Sequence, residues 1–192
     1  FMLGDASTRQ ELVENGYAEN FQFPNTLENG ANLWQSNHPE EELALKIAEI
    51  LGGGYQEDDL LVITSQQSLP RCEEYFHRQN IRYSVGESEK GGLVSLTDYM
   101  NVKGLEKEVV LMCGVEDLYE RSQTTGLFTD EEIRWREEQF SRRKIYVALT
   151  RSLEHLHLYY QDPTNIFLQE LIKINRDILQ KRQRGLYGVS VR

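Results

Sequence analysis

An α/β domain with a parallel sheet covered on both faces is the fold class this sequence predicts. Two observations carry that expectation. The runs Leu60-Leu61-Val62-Ile63 and Val109-Val110-Leu111-Met112 are short, apolar and rich in β-formers, as strands buried on both faces are. Segments with apolar residues at helical spacing alternate with such runs, the pattern of strand–helix–strand units. A chain of 192 residues is the right size for one such domain and can bury a good core.

The elements follow in order. Residues 26–34 are expected to form a short helix. Residues 40–51 carry Leu43, Ile47, Ile50 and Leu51 at helical spacing, begin after Pro39 and stop at Gly52-Gly53-Gly54. The strand 60–63 comes next, then a helix over 70–79, short strands over 81–85 and 93–96, and the strand 109–112. Residues 117–126 read as a polar loop. Thr129-Asp130-Glu131-Glu132 matches a capping box, with Thr129 as N-cap, opening a helix that runs to about Thr150. Residues 153–160 alternate, with Leu156, Leu158 and Tyr160 on one side, and predict a strand. Asp162-Pro163 is expected to start a last helix with Pro in its first position, and Phe167, Leu171, Ile174 and Ile178 are its apolar stripe.

Composition removes several classes. Hydrophobic residues make up 39% and charged residues 27%, so a folded globular chain is expected rather than a disordered one. No apolar run reaches the length of a membrane-spanning helix, and Phe1-Met2-Leu3-Gly4-Asp5 lacks the basic start of a signal peptide. Cys72 and Cys113 form no CxxC pair and are too few for a disulfide framework, which fits a reducing cytoplasm. His155 and His157 stand two apart on one strand face without a third ligand, so no metal site is expected. The formal net charge of −10 argues against a surface that coats nucleic acid throughout, and leaves room for a local groove. Gly52-Gly53-Gly54-Tyr55 is followed by Gln56-Glu57-Asp58-Asp59 where a phosphate loop needs Lys-Ser/Thr.

Two segments carry chemistry. Lys103-Gly104-Leu105-Glu106 immediately precedes a strand, and its glycine lets the backbone approach a ligand between opposite charges. Tyr146-Val147-Ala148-Leu149-Thr150-Arg151 ends a helix just before another strand. An arginine held there can reach a phosphate presented by another domain, and its fork of donors suits a phosphoryl group. Read singly, the first is an ordinary surface turn and the second a cation at a helix C-terminus.

In this order the two segments resemble the UvrD/Rep-like superfamily 1 helicases, whose second RecA-like domain carries a KGLE motif and then a Tyr-Val-x-x-Thr-Arg motif. Arg142-Arg143-Lys144-Ile145 is similar to the family's lead-in, and Leu153 to Leu158 to its following strand. The run from Val62 to Arg71 and the segment Ile81 to Gly86 fall into the same register, as do Asn20-Phe21-Gln22 with Leu27, Ala31 and Asn32. The likeness covers roughly residues 17–160.

The resemblance implies a RecA-like three-layer domain over residues 20–181, with 1–19 a linker or remnant of a first RecA-like domain and 182–192 a basic tail. It implies an ATP-dependent DNA helicase. Its ATP and Mg²⁺ would be held mainly by that first domain, and single-stranded DNA, or RNA, would cross both domains. Arg151 takes the place of the arginine finger. Lys103, Gly104 and Glu106 fall beside the nucleotide, Glu106 toward its ribose, and Thr64 and Ser65 toward nucleic acid. There are departures. Gln22 stands where the family has an arginine for the γ-phosphate, Asp98 and Met100 stand at the DNA-contacting Thr and His, and Lys107 replaces an aromatic residue. These departures define the alternative, a degenerate helicase-like module used for binding or scaffolding. By itself the chain is expected not to hydrolyse ATP.

The Gln22 departure is testable. Glutamine brings no charge to a phosphoryl-transfer transition state. Unless Arg142, Arg143 or an arginine of the first domain substitutes, Gln22→Arg should speed DNA-stimulated ATP hydrolysis by the intact protein. About tenfold is expected if the change recovers roughly 1.4 kcal/mol of the barrier. An unchanged steady-state rate would remove this role for position 22.

Overall fold

The computed structural model describes residues 31–86, 91–125 and 131–183. Six strands form one sheet: β1 (Asn32–Gln35), β2 (Leu60–Thr64), β3 (Tyr83–Val85), β4 (Val94–Asp98), β5 (Lys107–Met112) and β6 (Ser152–Tyr160). Their spatial order is β1-β6-β5-β2-β4-β3, and every neighbouring pair is parallel. Five helices cover the sheet: α1 (Pro39–Gly52), α2 (Leu69–Arg78), α3 (Val115–Thr125), α4 (Glu131–Leu149) and α5 (Ile166–Gln183). None of the described helices is long and apolar enough to cross a membrane.

Alternation along the central strands divides the core into two layers. Leu61 and Ile63 of β2 point to one face, with Val110, Met112, Leu156, Leu158 and Tyr160, where α3, α4 and α5 bring Leu118, Ile145 and Phe167. Leu60 and Val62 point to the other face, where α1 and α2 bring Leu43, Ile47, Cys72 and Phe76. Strand β2 is buried along its whole length, as a strand covered on both faces must be. Glu40 in the first turn of α1 is itself buried and pairs with Arg71 of α2 at 2.9 Å, tying the two helices of that layer together.

The link from β4 to β5, residues 99–106, makes its parallel crossover without a helix, although such links usually take a dozen residues or more. Tyr99, Val102 and Leu105 lie buried on one sheet face, so this short link contributes its own residues to that layer of the core. The Tyr99 hydroxyl donates to the Cys113 carbonyl at 2.9 Å, which fixes the start of the link against the end of β5.

Several expectations are corrected. Residues 32–34, expected in a helix over 26–34, belong to β1, because pairing with β6 satisfies a four-residue edge strand that spacing alone does not distinguish; residues 26–30 lie outside the described residues. Residues 117–125, expected in a loop, belong to α3: Val115 and Leu118 are buried one turn apart, and Tyr119 packs edge-on against Phe167 at 5.1 Å. Pro163 does not open the last helix. Asp162 accepts from the Thr164 backbone N–H at 2.8 Å in a turn, and the Asn165 side chain caps the Phe167 N–H at 3.1 Å, so α5 starts at Ile166. Its inner stripe is Phe167, Leu168 and Leu171, while Ile174 and Ile178 are only half-buried. The expected N-cap Thr129 and the calls on residues 1–30 fall outside the described residues, as does most of the basic tail.

At the β1–β6 edge the Trp34 indole N–H donates to His157 Nδ1 at 3.2 Å, and the two rings lie within 10° of parallel. Burial drives the His157 imidazole down to about 4, with Lys46 and His155 adding to the effect and Glu49 opposing it. His157 is therefore neutral in the fold at a pH where an unfolded histidine, ordinarily near 6.5, takes up a proton. Folding stability should be fully present above pH 6.5 and fall as the pH drops toward 4, by about 3 kcal/mol from this group. Urea unfolding at several pH values would show it. His157→Gln keeps an acceptor for Trp34 but cannot titrate, and should lose that part of the slope. An identical slope in wild type and variant would refute the assignment.

Candidate functional site

In an all-parallel sheet every strand starts at one end and finishes at the other, and the sequence-predicted residues divide between those ends. Glu106 stands just before β5 and Arg151 just before β6, and β5 and β6 are neighbours with Lys107 in register with Ser152. The Lys107 N–H donates to the Arg151 carbonyl at 3.1 Å, so the two motifs meet at the backbone. Arg151 Nη1 lies 3.4 Å from Glu106 Oε1.

The guanidinium is held from its own helix. Its Nε donates to the Val147 carbonyl at 2.9 Å and its Nη2 to Thr150 Oγ1 at 3.1 Å. Thr150 Oγ1 in turn donates to the same carbonyl at 2.8 Å. Two contacts thus come from the C-terminal turn of α4, whose unpaired carbonyls favour a cation. The Arg151 side chain is 18% exposed, but that of Glu106 is 55% exposed. Such a half-solvated ion pair holds little energy, on the order of 1 kcal/mol or less. Arg151 can therefore exchange Glu106 for a more highly charged partner without losing its helix contacts. Gly104 has φ +89 and its added Cβ would meet nothing, so its role is conformational freedom in the loop beside Glu106. Lys103 is exposed next to it.

The opposite end collects the carboxyl termini of the strands. Strand β2 leads into α2 on one face and β5 leads into α3 on the other, so the β2–β5 boundary is a topological switch point of the sheet. Ser65, Ser68 and Asp117 meet there, with both serines buried. Ser65 Oγ donates to Asp117 Oδ2, Ser68 Oγ donates to the same oxygen at 3.2 Å, and Arg71 donates to Ser68 Oγ at 3.0 Å. Glu116 beside it accepts from the Gln161 N–H at 2.7 Å, yet burial raises its carboxyl above the usual range. Thr64 is fully buried with its hydroxyl 3.2 Å from Cys113 Sγ. Thr64 and Ser65 thus sit at the carboxyl end of β2 with their hydroxyls engaged inside the domain. Asp98 accepts from the Met100 and Asn101 N–H groups at 2.7 and 3.2 Å and shapes the turn after β4, which leaves Met100 48% exposed.

Gln22 lies outside the described residues. Of the arginines named as substitutes for it, Arg142 is committed elsewhere. It binds Glu138 and Glu170 and covers the Phe167 ring at 4.8 Å, joining α4 to α5. Asp117, Ser68 and Gly114 were not singled out in the sequence. The only local signal was a glycine directly after an apolar strand. Among the described residues no group of three or more His, Cys, Asp or Glu side chains is disposed to hold a metal ion.

No protein-family model matches the chain, and no curated protein matches it. Among solved structures the chain is similar to the C-terminal domain of a possible DNA helicase from Lactobacillus plantarum WCFS1. The TM-score is 0.50 and the identity 15%, over 78% of this chain and 81% of that one. At this identity the likeness is one of fold: a RecA-like α/β domain with a parallel sheet between helical layers.

Gly114 stands at the switch point, close against Ser65. Its φ is +72, and an added Cβ would lie 2.9 Å from Ser65 Oγ and 3.1 Å from the Ser65 backbone nitrogen. The backbone conformation and the clash act together, so Gly114→Ala should destabilise the domain by roughly 2 kcal/mol or more. The check is the urea midpoint at constant m-value; a midpoint equal to wild type would mean that Ser65 and Gly114 are not in this contact.

Proposed function

We propose that the chain is the second RecA-like domain of an ATP-dependent DNA helicase or translocase of the UvrD/Rep kind. The observation that carries the reading is the meeting of Arg151 with Glu106. Two motifs separated by more than forty residues converge on one end of the sheet, with an arginine oriented by its helix and only lightly paired. In this reading a first RecA-like domain presents ATP with Mg²⁺ to that end, and Arg151 leaves Glu106 for the γ-phosphate. Its planar fork then stabilises the charge that develops on the phosphoryl oxygens. Glu106, released from the arginine, is free to accept from a ribose hydroxyl, and Lys103-Gly104 forms the loop alongside. The strand of nucleic acid crosses the other end of the sheet, over Met100 and the Asp98 turn. Thr64 and Ser65 support that surface through the Asp117 cluster rather than by hydroxyls of their own. Closure on ATP and opening after hydrolysis move one end of the domain relative to the other, which links turnover to stepping.

Gln22 favours a second reading, a helicase-like module that binds without efficient hydrolysis. Purified protein carrying both RecA-like domains separates the two. In the motor, Arg151→Ala should lower ATP turnover by about 10³-fold or more with little change in ATP-independent DNA binding, and Arg151→Lys should rescue poorly. Wild-type turnover at background with DNA binding intact would establish the scaffold instead. Loss of DNA affinity with turnover preserved in Arg151→Ala would overturn the placement of the nucleotide.

A further inference from the structure

Between β1, the end of β6 and α1 lies an open cavity of about 280 Å³, many times what a single water needs. The sheet supplies two of its aromatic rings. Trp34 and Tyr159 are in register across β1 and β6, and their rings stack at 6.4 Å with 19° between the planes. The indole is still 44% exposed. Helix α1 supplies the charges. Glu42, Lys46 and Glu49 follow one another at steps of four and three, so one flank of the helix turns all three to the cavity.

Two polar groups there find nothing to bind within the domain. Tyr159 is 4% exposed, yet its hydroxyl has no hydrogen-bond partner among the described residues. No enclosed side-chain polar atom among those residues is left unsatisfied, so this hydroxyl opens on the cavity that it lines. Burial raises the phenol well above its usual range, and the charges of Glu42 and then Glu49 add to the effect. The Glu42 carboxylate is the second such group: it is exposed and has no ion pair or hydrogen bond among the described residues. Glu49, by contrast, is bound by Lys46 at 2.6 Å. Lys46 Nζ stands 5.8 Å from the centre of the Trp34 ring, near the outer limit of about 6 Å for a cation over an aromatic face.

We propose that this cavity binds a guanidinium group, stacked on Trp34 and donating to the Glu42 carboxylate and the Tyr159 hydroxyl oxygen. Both unused groups accept hydrogen bonds, so the ligand must donate to each. Two carboxylates against one ammonium leave the lining negative, which favours a cation and disfavours the phosphates of a nucleotide or nucleic acid. Lys46 shows what an ammonium does here: it takes Glu49 and leaves Glu42 and Tyr159 unbonded. A guanidinium differs in two useful ways. Its plane lies flat on an indole, and its fork of donors addresses two acceptors at once. Trp34 and Tyr159 each stand one residue from the carboxyl end of their strands, at the end of the sheet opposite Arg151. The site is therefore independent of the nucleotide reading.

The test is a titration of the full 192-residue chain followed in ¹H–¹⁵N spectra. The Trp34 indole N–H, which donates to His157, reports from within the site, and Trp34→Phe distinguishes its signal from that of Trp135. N-acetylarginine methylamide should shift it saturably with a Kd on the order of 1 mM. Binding of n-butylammonium should be weaker by about fivefold or more, and AMP should not bind. Glu42→Gln should weaken the arginine ligand by about tenfold and Tyr159→Phe by about threefold. Lys46→Met, which frees Glu49 and the indole face, should tighten it by about threefold. Tyr159→Phe removes only an unpartnered hydroxyl, so an unchanged urea midpoint separates a ligand contact from a folding defect. Agmatine forms a second arm. Tighter binding of the peptide-like ligand assigns the guanidinium to an arginine of a protein chain, and tighter binding of agmatine assigns it to a small molecule. Shifts that never saturate in wild type or Lys46→Met would overturn the site, as would equal affinities in wild type, Glu42→Gln and Tyr159→Phe. Binding of AMP, or of n-butylammonium as tightly as the arginine ligand, would overturn the choice of guanidinium.

Discussion

The parallel pairing of β5 with β6 is the contact on which the candidate site depends. It joins two strands that are preceded by the two distinctive segments of the chain, and Lys107 and Ser152 in register bring Glu106 and Arg151 together. Had β6 paired antiparallel, Arg151 would lie at the far end of the sheet, about 20 Å away at the ordinary rise per strand residue. The backbone bond from the Lys107 N–H to the Arg151 carbonyl extends the ladder into the site itself. Arg151 is therefore positioned by secondary structure on both sides, a helix C-terminus behind it and a strand start ahead.

The same parallelism keeps two kinds of chemistry apart. The N-terminal end of the sheet holds a lightly paired arginine and a half-exposed carboxylate. The C-terminal end holds polar groups tied to one another, with Asp117 binding two serines and Asp98 closing its own turn. The first arrangement is open to exchange with an outside ligand, while the second is rigid and self-satisfied. The β4–β5 link connects them directly, for it runs from the Asp98 turn to Glu106 with Tyr99, Val102 and Leu105 packed beneath it. Glu106 is thereby joined to the opposite end of the sheet by a packed segment rather than a loose loop.

Arg142 and Arg151 illustrate how position decides the role of a residue type. Both lie on or just beyond α4. Arg142 points inward, is enclosed by Glu138, Glu170 and the Phe167 ring, and joins two helices. Arg151 follows the last turn and, besides its contacts to Val147 and Thr150, meets a single half-exposed carboxylate at 3.4 Å. A buried, doubly paired guanidinium is costly to remove from its partners, whereas a half-exposed pair is not. Only the second is suited to leave its partner for another.

The amino-acid sequence by itself determined the fold class, the central strands β2 and β5, the long helix ending just before Arg151, and the two motifs, because each is written in local sequence. Runs of apolar β-formers report burial on both faces, and 3.6-residue periodicity reports one buried face. Tertiary structure alone decided the rest. The edge strand β1 exists because β6 offers it a partner. Residues 115–125 are helical because Val115 and Leu118 find a core and Asp117 finds Ser65. The last helix starts at Ile166 because Asp162 and Asn165 spend their side chains on local turns. Thr64 and Ser65 follow an apolar run and so fall at the end of a strand, but the direction of their hydroxyls depends on Cys113 and Asp117, about fifty positions away. The convergence of Glu106 and Arg151 is of the same kind. Local spacing encodes which side of a segment is buried; which distant segment buries it is settled only when the whole sheet assembles.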